Sequence, residues 1–367
     1  MKNVCCIIPT IRDYPCIKKY AEAGGKKAFY LLVAEDFCDL RKMRSDLKDW
    51  GLDGEVLGQS DRDKWMKETG LNNFADLIPK RSHAETSFGL LWLQAHNEFD
   101  FGVFIDDDTV PISEDYFERH IQNLNFNGNI NEVSSDKKWV NVLFQNFGRH
   151  KMYPRGYPYA AMQEKMSVET ANVKNVVASQ GLWTNVADLD AIRILMSGGL
   201  NGIPSIRATE TDFKEDFVVK NENCLTICSM NLAFKREVIP AFYQLPMDDN
   251  EWKLGRFDDI WSGVFLKKIC DILEKKIITG KPLCIHNKAP RSTFKDLLAE
   301  APALEINENL WNILCSMNLK GDDYTTIYNE IGTLLQQGNW NYRNGDFLNY
   351  MGKMMQRWVE CIDKISS

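Results

Sequence analysis

The sequence lacks long hydrophobic runs, and it has no excess of positive charge. The apolar stretch nearest the N terminus, Val4 to Ile8, ends at Pro9, and a bilayer-spanning helix needs about 20 apolar residues. We therefore expect no membrane span and no secretory signal, although peripheral membrane association is compatible with the sequence. With 51 acidic and 44 basic residues and a net charge of -7, the chain lacks the basic character typical of nucleic-acid-binding proteins.

The ten cysteines show no disulfide framework. Cys5, Cys6, Cys270 and Cys284 lie within apolar runs, where a free cysteine behaves as a small hydrophobic residue. No second Cys or His pair accompanies Cys224 and Cys228, so the spacing does not predict a zinc site. A chain of this length does not need disulfides for stability. We therefore expect reduced thiols and a cytoplasmic location.

Short apolar runs alternate with helical stretches along the first two-thirds of the chain. Runs of this kind are typical of buried parallel strands. The sequence predicts an α/β fold, with a mostly parallel sheet and flanking helices. Residues 145–180 are polar and mixed, and they are predicted to form long loops with short helices. The predicted strands are Val4–Ile8, Ala28–Ala34, Phe101–Ile105, Trp139–Phe144 and Ile277–Ile285.

The chain beyond residue 303 shows only helical patterns. Its last helix carries an apolar stripe that includes Phe347, Met351 and Trp358, which is typical of a helix packed on the body of a protein. We therefore predict an α/β domain over residues 1–302 and a helical C-terminal extension over residues 303–367.

Three consecutive carboxylates, Asp106, Asp107 and Asp108, follow the predicted strand Phe101–Ile105. Like charges at neighbouring positions repel, and a divalent cation removes that cost. Ligands of open α/β sheets bind beyond the carboxyl ends of strands, which is where these residues fall. His286 follows another apolar strand and could complete the ligand set with Asp108. The pattern predicts a site for a divalent cation.

Two enzyme classes are compatible with this aspartate motif. Nucleotide-sugar transferases use a D-x-D pair to bind the cation that bridges two phosphates. Aspartyl-phosphate phosphatases use D-x-D-x-[TV], which Asp106, Asp108 and Val110 also match. That phosphatase motif normally opens its domain, whereas two strands precede it here. The motif alone does not decide between the two classes.

A series of further motifs resembles the reversibly glycosylated polypeptides, also called UDP-arabinopyranose mutases. The resemblance extends from about residue 4 to about residue 295, and only the series as a whole is specific. Its members are Ile8–Arg12, the three aspartates, Arg155–Pro158, Gly181–Trp183, Met230–Phe234, Gly255–Trp261 and His286–Ala289.

The resemblance implies a GT-A fold, a UDP-sugar substrate and Mn²⁺ or Mg²⁺. It also implies exchange between pyranose and furanose forms of the sugar, with reversible self-glycosylation on the arginine that matches Arg155. A second arginine of the family is replaced by Met162, and an arginine near the Phe–Gly pair is replaced by Thr86. These departures concern the reaction more than the fold.

The candidate site residues fall into three groups. Asp258 and Asp259 are candidate proton acceptors for Arg155, because a guanidinium is normally protonated and a poor nucleophile. Lys288 is a candidate phosphate contact. The substrate-binding candidates are Pro9, Thr10, Arg12, Glu35, Asp36, Trp183, Asn231 and Lys288; the metal candidates are Asp106, Asp107, Asp108 and His286; the catalytic candidates are Arg155, Asp258 and Asp259.

Two other functions remain open from the sequence. One is a transferase that passes the sugar to a separate glycan or protein acceptor. The other is a non-catalytic subunit that binds a UDP-sugar. Both are compatible with the replacement of the family's second arginine by Met162. The presence of all the metal candidates favours an enzyme. We expect a homo-oligomer with no nucleic-acid partner.

Overall fold

The computed structural model describes residues 3–11, 14–145, 152–247 and 250–366. The strands are β1 Val4–Thr10, β2 Phe29–Ala34, β3 Asp53–Leu57, β4 Phe101–Ile105, β5 Thr109–Pro111, β6 Gly128–Ser135, β7 Trp139–Val140, β8 Met166–Val173, β9 Val176–Asn185, β10 Phe217–Val219, β11 Cys224–Leu225, β12 Asn231–Lys235 and β13 Lys276–His286. The helices are α1 Cys16–Glu22, α2 Leu40–Asp49, α3 Gln59–Glu68, α4 Thr86–Ala95, α5 Tyr116–Leu124, α6 Ala191–Met196, α7 Asp258–Ile272, α8 Thr293–Glu300, α9 Leu304–Ser316, α10 Tyr324–Gln337 and α11 Asp346–Ser366.

One large sheet forms the centre of the molecule, and its N-terminal half is parallel. The strand order is β3-β2-β1-β4-β12-β9-β13-β10-β6-β8, and β1 pairs in parallel with both β2 and β4. These strands are buried on both faces because helices cover them, which explains their continuous apolar sequences. The α/β prediction is confirmed.

The second half of the sheet mixes parallel and antiparallel pairs. β12 runs antiparallel to both β4 and β9, and β13 runs parallel to β9. The prediction of loops throughout residues 145–180 is wrong, because β8 and the first half of β9 lie there. β8 is largely exposed, so its polar residues face solvent, whereas β9 contains polar residues that are buried. One of them, Ser179, contacts His120 inside the protein through a 2.9 Å hydrogen bond.

The strand directions bring several carboxyl ends to one edge of the sheet. Because β12 is antiparallel to both β4 and β9, β4 and β9 end at the same edge, and β13 ends there too. The short strand β5 pairs with β13 and sets His286 opposite Thr109. This pairing brings His286 to the three aspartates, although 177 intervening residues separate His286 from Asp108.

The predicted strand Trp139–Phe144 is shorter than expected. Only β7 is extended, and it pairs with β11 in a separate two-stranded sheet. The segment that follows turns back because the Asn141 side chain accepts a hydrogen bond from the Leu143 amide at 3.0 Å. An asparagine that bonds its own backbone two residues on favours a turn over a strand.

The helices after residue 303 pack closely on the rest of the molecule. α10 and α11 cross at two glycines, and a Cβ on Gly352 would lie 2.4 Å from the Gly332 carbonyl oxygen. Trp358 of α11 is buried and stacks on Tyr243, with 4.7 Å between ring centroids. Among the described residues, no helix is both long enough and apolar enough to cross a membrane.

We expect Trp358→Ala to lower the free energy of unfolding by about 3–5 kcal/mol, because it removes a large buried side chain and leaves a cavity. The matched control is Lys353→Ala on the exposed face of the same helix, where a change within about 0.5 kcal/mol is expected. Urea denaturation at neutral pH measures both variants. A Trp358→Ala protein as stable as the control would show that α11 does not contribute to the folded core.

Candidate functional site

A cavity of about 740 Å³ opens where the strand ends converge. This volume lies within the range of roughly 300–1,000 Å³ that is common for small-molecule sites. Most of the candidates from the sequence meet in its wall. The candidates in the wall are Pro9, Thr10, Asp106, Asp107, Asp108, Arg155, Asp258, Asp259, His286 and Lys288.

The three aspartates after β4 point to three different neighbours. Asp107 accepts hydrogen bonds from the Thr10 hydroxyl at 3.0 Å and from the Ile11 amide at 3.3 Å. Asp106 faces the ring of His83. Asp108 faces His286, with 3.7 Å between Oδ1 and Nε2. The aspartates therefore connect the β1 loop, the segment before α4 and the end of β13.

Asp108 and His286 suit a divalent cation. His286 Nδ1 lies 2.7 Å from the Val186 carbonyl oxygen, so it donates to that oxygen and leaves Nε2 facing Asp108. Such a second contact orients metal-binding histidines. No cluster of three or more His, Cys, Asp or Glu side chains is closed enough to hold a metal among the described residues. Mg²⁺-type sites commonly use one or two protein ligands, with water and substrate phosphates completing the shell.

Arg155 is held by two buried carboxylates at the bottom of the cavity. Its Nε donates to Asp188 at 2.9 Å, and its two terminal nitrogens donate to Asp259 at 3.1 Å each. Nη1 also donates to the Arg256 carbonyl oxygen. A guanidinium has five N–H groups, and these contacts use four of them. The remaining N–H is on Nη2.

The charged groups in this cluster change one another's pKa values. Burial disfavours the charged form of Arg155, but Asp188 and Asp259 raise its pKa well above the ordinary value, so it stays a guanidinium. Burial also acts to raise the pKa of Asp188, yet the nearby charges of Arg155 and Lys288 lower that pKa to about 2. Arg155 and Asp188 therefore form a permanent ion pair at neutral pH.

Two residues of this site were not predicted from the sequence. Asp188 follows β9 in a segment without a recognisable motif. His83 lines the cavity, and its Nδ1 lies 2.9 Å from Asp258 while its Nε2 lies 3.4 Å from Asp106. The hydrogen bond and charge of His83 lower the pKa of Asp258 despite its burial. Neither residue carries a local signal, because each contacts residues distant in the sequence.

Lys288 is buried in the cavity wall, and its Nζ has no hydrogen-bond partner within the described residues. Burial lowers its pKa. An unpaired buried amine is costly, and an anionic ligand in the cavity would remove that cost. The contact between Lys288 and a phosphate stays a prediction.

Several predicted substrate contacts lie outside the cavity wall. Asn231 is fully buried and bonds Tyr116 and His120 at 2.9 and 3.0 Å, so its amide belongs to the protein core. Trp183, Glu35 and Asp36 are not among the residues that line this cavity. Arg12 lies outside the described residues.

Comparison with known protein families identifies the family of this chain. The profile described as "Reversibly glycosylated polypeptide" matches residues 51–367. The chain belongs to the reversibly glycosylated polypeptide family. It is 25% identical over 372 residues to UDP-arabinopyranose mutase 2 of Arabidopsis thaliana, covering 98% of this chain and 91% of that protein.

Two more comparisons complete these findings. UDP-arabinopyranose mutase 1 of Oryza sativa subsp. japonica is 27% identical over 293 residues, covering 77% of this chain and 69% of that protein. A solved structure of S. aureus TarS 1-349 in complex with UDP aligns with a TM-score of 0.30 and 11% identity, covering 100% of this chain and 90% of that one. A similarity this weak supports no conclusion about fold or function.

Met162, where the resemblance to this family leads us to expect an arginine, lies beside another guanidinium. Arg193 of α6 points its Nη2 at the Met162 sulfur at 3.7 Å and stacks over Tyr159 at 4.3 Å. It also donates to the Pro154 and Tyr157 carbonyl oxygens. Arg193 therefore fixes the backbone on both sides of Arg155. The positive charge next to Met162 therefore comes from Arg193 of α6.

We expect Asp188→Asn to destabilise the protein by about 3–5 kcal/mol at pH 7, because it leaves the buried Arg155 incompletely paired. The folded-state pKa of Asp188 is depressed to about 2. The ionisation of Asp188 therefore contributes about 2 kcal/mol to the free energy of unfolding above pH ~4. This contribution is lost as pH falls towards about 2.

Urea denaturation of the wild type and Asp188→Asn at pH 7 and pH 3 tests this expectation. The difference between the two proteins should shrink at pH 3. The control is Asp136→Asn at an exposed position. A constant difference across this range would mean that Asp188 is not the ionised partner of Arg155.

Proposed function

We propose that the chain is a metal-dependent enzyme that interconverts the pyranose and furanose forms of a UDP-sugar. One observation carries the proposal: Arg155, buried and paired with two carboxylates, shares one cavity with the Asp108–His286 pair and with Lys288, whose buried Nζ makes no hydrogen bond to a described residue. Family membership and the mutase names of the relatives support the same reaction. They also favour this function over the aspartyl-phosphate phosphatase.

The phosphate end of the substrate is assigned to Asp108, His286 and Lys288. Mn²⁺ or Mg²⁺ held by Asp108 and His286 would neutralise the charge that develops on the departing diphosphate. Lys288 adds a positive charge that is stronger in effect because it is buried. These groups keep UDP bound after its bond to the sugar has broken.

The sugar end of the substrate is assigned to Arg155, Asp258 and Asp259. Nη2 of Arg155 carries the one N–H of this side chain that has no acceptor among the described residues, so we assign the sugar adduct to this atom. The C–N bond forms as the bond from the anomeric carbon to UDP breaks, and UDP takes its electron pair. The Nη2 proton passes to Asp259, whose carboxylate already bonds Nη2 at 3.1 Å.

Ring exchange follows from the same groups. The bond between the anomeric carbon and the ring oxygen breaks, and that oxygen takes the proton from Asp259. Another sugar hydroxyl then attacks the anomeric carbon and returns a proton to Asp259. UDP, still held at the other end, displaces Arg155 Nη2 from the anomeric carbon, and Asp259 returns its proton to that nitrogen. The enzyme ends unchanged, and the two rings exchange without net proton consumption.

The nucleoside end is assigned to the β1 loop. Thr10 and Ile11 line the cavity, and Asp107 fixes both through hydrogen bonds. Arg81 also lines the cavity and has a left-handed φ of 57°, a strained conformation that is common at functional positions. With the base at the β1 loop, the diphosphate of the substrate would lie between the base and Arg155.

A transferase with a separate acceptor is the alternative enzyme. It shares the phosphate end of the site but releases UDP with each sugar transferred. Pure protein incubated with UDP-sugars and Mn²⁺ separates the two functions. Ring exchange without UDP release supports the mutase, and accumulation of free UDP only when an acceptor is added supports the transferase.

We expect Arg155→Lys to bind UDP with Mn²⁺ while losing ring exchange and self-glycosylation together, by roughly 100-fold or more. Lysine keeps the charge but lacks the planar fork that pairs with two carboxylates. Intact-mass spectrometry and chromatography of the UDP-sugar measure adduct and exchange. The matched control is Arg44→Lys, whose 2.6 Å contact with Asp61 is exposed and is worth roughly 0–1 kcal/mol. A persistent adduct in Arg155→Lys would contradict the assignment.

We expect Asp108→Ala to abolish the increase in UDP affinity that Mn²⁺ produces in the wild type, because one of the two protein ligands is lost. Calorimetry of UDP with and without Mn²⁺ provides the measurement. Asp115→Ala, at an exposed carboxylate paired with Arg119, should behave as the wild type. Metal-dependent binding that survives in Asp108→Ala would remove Asp108 from the metal site.

A further inference from the structure

The loop that carries Arg155 is held by a helix from the C-terminal part of the chain. Glu308 of α9 accepts hydrogen bonds from the Tyr159 amide at 2.6 Å and from the Ala160 amide at 2.9 Å. Hydrogen bonds to an ionised carboxylate are roughly twice as strong as neutral ones. Glu308 therefore fixes the backbone a few residues after Arg155.

Asn307, the preceding residue of α9, joins this loop to α7. Its Nδ2 donates to the Gly156 carbonyl oxygen at 3.0 Å, and its Oδ1 accepts from the Trp261 indole at 3.0 Å. Gly156 has a φ of +82°, and a Cβ there would lie 2.2 Å from Ile260 Cγ2. The loop thus lies directly against α7, and Asn307 holds it there.

The two elements that Asn307 joins are those that carry Arg155 and Asp259. The loop supplies Arg155, and the first turn of α7 supplies Asp259. Asn307 is buried, so an amide that lost either partner would leave an unsatisfied polar group in the interior. Asn307 therefore joins the same two elements as the Arg155–Asp259 ion pair. Both sets of contacts fix the distance between the loop and α7.

We propose that Asn307 and Glu308 are positioning residues that hold Arg155 Nη2 in place for the sugar, so that α9 completes the site. The expected effect on the rate of ring exchange rests on the proposed function. The expected effect on the position of the Arg155 loop does not. A displacement of about 1 Å at a reacting group can cost roughly 100-fold in rate. The hydrogen bonds of α9 prevent such a displacement.

Asn307→Asp and Glu308→Gln test the proposal with little change in side-chain size. The aspartate cannot donate to Gly156, and the glutamine turns one donor towards the Tyr159 and Ala160 amides. We expect kcat for ring exchange to fall roughly tenfold or more, with KM and the affinity for UDP and Mn²⁺ within about twofold. Both controls lie on the same helix. Asn309→Asp changes an amide that donates to the Glu305 carbonyl oxygen within the same helix, Glu305→Gln changes an exposed carboxylate, and both should behave as the wild type.

Two further measurements do not require exchange activity. Hydrogen exchange of the amides over residues 156–160 should be faster in both variants by roughly tenfold or more. The reaction of Arg155 with phenylglyoxal, followed by peptide mass spectrometry, should also be faster because the guanidinium is less tightly held. The controls should show neither change.

The outcomes separate this proposal from the proposed function. Unchanged amide exchange and arginine reactivity in both variants would show that α9 does not hold the loop. Faster exchange with an unchanged kcat would show that the loop position does not govern the reaction. If the wild type catalysed no ring exchange, the mutase function would fail, and the amide and phenylglyoxal measurements would still decide whether α9 positions Arg155.

Discussion

A buried guanidinium paired with two buried carboxylates organises the site of this protein. Arg155 comes from a loop, Asp188 from the segment after β9, and Asp259 from the start of α7. Each charge would be costly alone in the interior, and removal of one leaves the others uncompensated. The three elements must therefore meet in one arrangement. The cavity takes its shape from that constraint.

The remaining charges of the cavity are arranged around this cluster. At one end, Asp108 and His286 lie 3.7 Å apart, a separation that suits a shared cation. Lys288 lies buried in the same wall, and its Nζ makes no hydrogen bond to the part of the chain that the structure describes. The protein as a whole carries a net charge of -7, so it would repel a free diphosphate at long range. Attraction of an anion therefore depends on local positive charge in the cavity wall, which includes Lys288, Arg256 and Arg291.

Two positions depart from the expected family pattern. Met162 stands where an arginine is expected, and Arg193 of α6 contacts its sulfur and bonds the backbone before and after Arg155. Thr86 replaces another, and its hydroxyl donates to the His83 carbonyl oxygen at 2.7 Å. That bond fixes the turn from which His83 reaches Asp258. The loop of Arg155 thus has supports from α6, α7 and α9.

The sequence by itself determined the α/β class, the first parallel strands and the edge at which the site lies. Those features follow from local patterns, since apolar strands that end in charged residues place those residues at one edge of a sheet. Asp106, Asp107, Asp108 and His286 could be found in this way. The polar residues of β9 concealed a central strand, because the hydrogen bond of Ser179 to His120 in α5 and the pairing of β9 with β12 leave no local pattern.

Only the tertiary structure decided how the site is assembled. His83 reaches Asp258 across 175 residues, Arg155 reaches Asp259 across 104, and Glu308 reaches the Tyr159 amide across 149. No periodicity or spacing records such contacts, because each depends on how distant elements pack. The same packing placed Asn231 and Trp183 in the interior, away from the cavity wall. Local sequence sets which residues end a strand, and long-range packing sets which of them face one another.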